Sequence, residues 1–173
     1  MEKKDWSWKF LEVFVLQGFF LTLITAFLFL YGSLYFVPAP AQVIASGSAG
    51  TWLLVGYTFY AIMIVYLGVS SFMYYMIERK GGKLKGLLKC LPCAHYLLVN
   101  LGIIGTSLLL ISAGYRGGVA LMPVTQGGNG MTQLQVHEQI LGVYPQYVVA
   151  AIVLVMMGVL CGFLYYYLAL KKK

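Results

Sequence analysis

The stretch Cys90–Gly118, CLPCAHYLLVNLGIIGTSLLLISAGYRGG, decides the fold. It opens on a C-x-x-C pair and one of the two histidines, His95. About twenty apolar or small residues then follow without a charge, until Arg116. At 1.5 Å rise per residue, roughly 20 helical residues cross the hydrocarbon core of a bilayer. A lysine-rich segment precedes the stretch and a glycine-rich polar segment follows it.

Composition extends this reading to the whole chain. Of 173 residues, 61% are hydrophobic and only 10% charged, against about 25% charged in a soluble domain. Mean hydropathy is +0.83. The net charge of +7 is gathered in short clusters beside apolar runs. Nucleic-acid surfaces instead spread basic residues over one folded face, so no nucleic-acid partner is expected. Clusters beside spans act as topology signals and as contacts to anionic head groups. Three cysteines do not make a disulfide framework. The first apolar run, Phe10 to Val37, is too long for the core of a removable signal peptide.

The hydrophobic pattern predicts four spans, over about 10–36, 51–77, 91–113 and 146–170, within a single domain 1–173. Trp6 and Trp8 mark an interface before the first, and Glu12 is expected at head-group level. Pro38 and Pro40 end that helix. Trp52 marks one interface of the second span, and Tyr74 and Tyr75 the other. Tyr57, Tyr60 and Tyr66 lie further inside, where hydroxyls need partners on other helices. Gly102 and Gly105 on the third span, and Gly158 and Gly162 on the fourth, are small residues at helical spacing that permit close contact.

Eleven of the twelve Lys and Arg fall in the N-terminal segment, the 78–89 segment and the C-terminal tail. With four spans, all three lie on one side, which the positive-inside rule makes the cytoplasm. The expected fold is thus all-α: an integral membrane four-helix transmembrane bundle with both termini cytoplasmic, in the cell membrane. The 38–50 and 114–145 segments are then outer loops. In the second, residues Thr132 to Leu141 could form a short interfacial helix that carries His137 and Glu138.

Few residues offer chemistry. Cys90, Cys93 and His95 read C-x-x-C-x-H; covalent haem attachment needs His directly after the second Cys, and Ala94 intervenes. A thiol relay to quinone would need a second Cys pair, and only Cys161 remains. Cys90, Cys93, His95 and Cys161 are suitable ligand types for zinc. Set against these, two thiols and an interfacial imidazole at a helix start, packed or lipid-facing, require no chemistry, and no metal site is expected. Arg116, the one basic residue on the outer side, could pair with Glu138, the one acid there, or hold a carboxylate or phosphate. No span carries an acidic residue in its interior, Glu12 standing at the head-group end of the first, and this argues against an ion-coupled pump. There is no nucleophile elbow and no phosphate loop.

Residues 51–170 resemble the C-terminal helices of catalytic subunits in the haem–copper oxidase and nitric oxide reductase superfamily, nearest the cbb-type oxidases. The likeness is carried by GVSS followed by FMYYMIE at the end of the second span, by His95-Tyr96, Gly102 and Gly114 on the third, and by VHEQILGVYPQYVV before the fourth. The metal-ligand histidines of that family are missing: the second span reads GYTFYAIMI, with Tyr57 and Phe59 near where imidazoles would stand. The resemblance therefore implies a non-catalytic accessory subunit of a respiratory or redox complex, beside other integral membrane subunits. Such a chain would pack against a catalytic subunit, bind lipid or quinone and shield its partner's cofactors; no cofactor is expected within the chain itself, which would contact the haem, quinone or lipid of a partner. Two other functions fit the residues: a small membrane oxidoreductase using quinone or thiol chemistry, and a small homo-oligomeric channel or carrier.

Overall fold

The computed structural model describes residues 5–81 and 86–171, which are mostly helical, with no strand among them. Lys3, Lys4, Lys83, Lys85, Lys172 and Lys173 lie outside the described residues. The long helices are α1 (Trp6–Tyr35), α3 (Thr51–Arg79), α4 (Leu91–Leu121) and α6 (Tyr144–Lys171). All four are long and apolar enough to cross a membrane. Two short helices lie in the connections: α2 (Pro40–Ala45) and α5 (Gln133–Val136), which runs on into a π-helical turn, His137–Leu141.

Local signals explain the starts. Pro40 and Pro92 occupy the first turns of α2 and α4, where a missing N–H costs nothing. Thr132 caps α5 in a reciprocal box: its hydroxyl accepts from the Gln135 N–H (3.3 Å), and the Gln135 side chain accepts from the Thr132 N–H (2.9 Å). The expected short helix over Thr132 to Leu141 is therefore present. In α1 the α-helical stretch Trp6–Thr25 gives way to a π-helical turn over Ala26–Tyr31 before the helix resumes.

The third long helix corrects the sequence reading. It does not stop at 113 but continues to Leu121, so Tyr115, Arg116, Gly117 and Gly118 belong to the helix and the outer connection begins at Met122. The glycines do not end this helix; they let neighbours approach it. A Cβ at Gly114 would lie 2.0 Å from the Leu53 backbone nitrogen, and one at Gly118 would lie 2.4 Å from Val43. Close packing against α3 and α2, not chain termination, accounts for both.

α4 is the central helix, flanked by α3 and α6, with α1 packed chiefly along α3. The α4–α6 seam is built on the small residues. A Cβ at Gly102 would meet Val155 at 2.5 Å, and one at Gly158 would meet Val99 at 2.6 Å. The small-residue spacing thus marks a real crossing. One buried cluster includes Phe10, Leu67, Tyr74, Val99, Ile103 and Tyr165; another, towards the opposite end, includes Ala49, Ala113, Ala120, Val136 and Leu141.

Candidate functional site at the lysine-rich end

The first turn of α1, the last turns of α3 and α6, and the first turns of α4 meet at one end of the bundle. Lys9, Arg79, Lys80, Lys89 and Lys171 stand at these helix ends. Just inside them lies His95, a fully buried side chain. Tyr66 and Tyr74 lie two helical turns apart on α3 and so reach it from the same face. The Tyr66 hydroxyl is 2.9 Å from His95 Nε2 and the Tyr74 hydroxyl 3.1 Å from Nδ1. A neutral imidazole has one donor and one acceptor nitrogen. One phenol therefore donates to the ring and the other accepts from it.

Aromatic rings close the shell. Phe10 of α1 lies with its centroid 4.8 Å from that of His95, and Tyr166 of α6 meets the imidazole edge-on at 5.9 Å. Gly162 forms the floor: a Cβ there would fall 2.6 Å from Nδ1. The Ser70 and Tyr166 hydroxyls are buried beside the cluster, and neither closes a hydrogen bond of ordinary geometry. All four long helices thus contribute to a packed, uncharged cluster of polar and aromatic side chains.

Glu78 holds the rim of this site. Its carboxylate accepts from the Trp6 N–H (2.8 Å), the Ser7 N–H and the Ser7 hydroxyl, and so satisfies the otherwise open amino end of α1. Ser71 donates to the Ser7 carbonyl at 2.8 Å. Deeper in the bundle, the Gln17 amide of α1 donates to Asn100 of α4 at 2.6 Å, and the Thr25 hydroxyl pairs with Tyr57 at 2.8 Å.

These positions revise several expectations. His95 is packed inside the bundle and does not face outward. Tyr74 is a core residue and no interface marker, whereas its neighbour Tyr75 is exposed. Cys90 and Cys93 are exposed and Cys161 is half-buried, all three free. No group of three His, Cys, Asp or Glu side chains converges among the described residues. The zinc-type quartet is not assembled, because the His95 ring turns inward and both of its nitrogens already face tyrosines. The Gln17–Asn100 and Ser7–Glu78 joints went unread in the sequence. Their signal was two amides within apolar runs and a carboxylate at the end of one.

At the opposite end, exposed Arg116 donates to the Tyr144 hydroxyl (3.3 Å), which also pairs with Ser112 (3.2 Å). Arg116 and Glu138 form no ion pair among the described residues. His137 is exposed on the wall of a cavity of about 490 Å³ shared with Ser48, Gln133 and Leu141. A larger open groove, about 910 Å³, lies between Ser33–Ser46 and Leu121–Gln126 and is lined by no charged residue.

Compared with protein-family models, curated proteins and solved structures, the chain matches none.

Proposed function

We propose that the chain is a non-catalytic integral subunit of a larger membrane complex, respiratory or redox in type. In this role it packs against a catalytic subunit and binds lipid or quinone. The observation that carries the reading is where the side chains are spent. Four sets of interior polar groups join one helix of the chain to another: Tyr66 and Tyr74 to His95, Gln17 to Asn100, Thr25 to Tyr57 and Ser7 to Glu78. The outside is different. Only 6% of the most apolar 18-residue window of α1 is buried. That helix turns Phe19, Phe20, Leu23, Phe27 and Leu30 away from the bundle. An apolar, aromatic stripe of this kind suits lipid along part of its length and a neighbouring membrane helix along the rest. The respiratory assignment draws on the resemblance of residues 51–170 to oxidase helices. The positive-inside rule favours a cytoplasmic place for the lysine-rich end, and the proposed complex is one of the cell membrane.

Purification of the full chain from its native membrane in mild detergent tests the proposal. The expected result is co-purification, at fixed stoichiometry, with an integral membrane enzyme subunit whose cofactor absorbs in the visible. A chain that runs alone contradicts it.

A further inference from the structure

Cys90 and Cys93 take no part in the packing around His95. Cys90 ends the 3₁₀ turn Gly86–Cys90 and stands at the N-cap of α4, with φ −77° and ψ −20°, and its side chain makes no capping hydrogen bond. Cys93 follows in the first turn of a 31-residue helix. Both thiols are free and exposed. Because the backbone is already right-handed helical at Cys90, helix geometry sets the two Cα atoms about 5 Å apart. Disulfides bridge Cα separations of 4.4–6.8 Å. Pro92, between them, has no N–H to lose when the ring closes. His95 is turned inward to Tyr66 and Tyr74, and no third ligand joins the pair among the described residues. The site is thus one of two thiols, short of the four ligands of a structural zinc site.

We infer that Cys90 and Cys93 form a reversible dithiol–disulfide couple, a site for exchange with a disulfide-bearing partner. One thiol attacks a sulfur of the partner disulfide, forming a mixed disulfide and releasing the first partner thiol. The second thiol attacks the mixed disulfide, closes the Cys90–Cys93 bond and releases the second partner thiol. Both protons leave with the partner thiols. The pair is oxidised by two electrons and the partner disulfide is reduced by two. On the cytoplasmic side proposed above, a reducing glutathione pool keeps the pair as thiols, and the disulfide forms when that poise rises. The couple stands independently of the subunit reading.

The full chain in detergent, equilibrated with graded ratios of oxidised to reduced glutathione, acid-quenched, denatured, alkylated and mapped by mass spectrometry, gives the test. The expected result is joint loss of alkylation at Cys90 and Cys93, reversed by dithiothreitol, with Cys161 still alkylated. Replacing Cys90→Ser is expected to stop the reaction at a stable glutathione adduct on Cys93. The inference is overturned if both thiols stay alkylated in excess oxidised glutathione. It is also overturned if the intact chain accumulates separate glutathione adducts on each, or if the bond formed is to Cys161 or to a second chain.

Discussion

Gly162 shows how much one side chain decides. A methyl group there would press on the His95 ring at 2.6 Å, and the ring is held on both nitrogens by Tyr66 and Tyr74. It cannot withdraw without breaking those bonds. Gly162→Ala should therefore destabilise the bundle by about 1–3 kcal/mol, the usual cost of overpacking. Gly18→Ala is the control: nothing lies within 4 Å of the added Cβ, and exchanging Gly for Ala in a helix gains up to about 1 kcal/mol. Thermal unfolding in detergent should show a lowered midpoint for the first and an unchanged or raised one for the second. The Gln17–Asn100 bond gives a second prediction. A double-mutant cycle with Gln17→Leu and Asn100→Leu should return a coupling of about 0.6 kcal/mol, and no more than about 1.7, as for hydrogen bonds between membrane helices. His95 was legible in the sequence as a residue of interest, but its partners were not. Tyr74 and Tyr75 are alike in sequence and differ only in which face of α3 looks inward. When lipid and core are both apolar, hydrophobic periodicity gives little guide to that face.

At the scale of elements, four helices and their approximate limits were readable, because about 20 uncharged apolar residues have few other uses. The end of α4 was not. Gly114, Gly117 and Gly118 fit a helix stop or a close crossing equally well in sequence, and only the approach of the Leu53 backbone, Ala49 and Val43 decides for the crossing. The joint between α1 and α3 was equally hidden, since Ser7 and Glu78 are 71 residues apart. That joint is testable. Glu78→Ala removes the acceptor for two backbone N–H groups and one hydroxyl at the start of α1. Hydrogen bonds to charged groups contribute about 1.5–3 kcal/mol. Hydrogen exchange read by mass spectrometry should quicken over residues 6–10 and stay unchanged over the centre of α4. Equal exchange over 6–10 in both proteins would mean that Glu78 does not hold this end.

At the scale of the molecule, helix order and the gathering of helix ends into one lysine-rich face follow from the number of spans and from the places of the Lys and Arg residues. The polar centre beneath that face does not, because it is built from four helices that only the tertiary structure brings together. The result is a bundle with a polar centre shared by its helices around His95 and with a least buried helix, α1, that looks outward. On the proposed account a second membrane protein meets that outward face. The most direct measurement is photocrosslinking in the native membrane, with a photoreactive residue placed singly at Phe19, Leu23, Phe27 and Leu30 on α1. The account predicts a discrete crosslink to one integral membrane protein from at least one of these positions, and none from a probe at buried Ile103. Adducts to lipid alone at all four positions would contradict it.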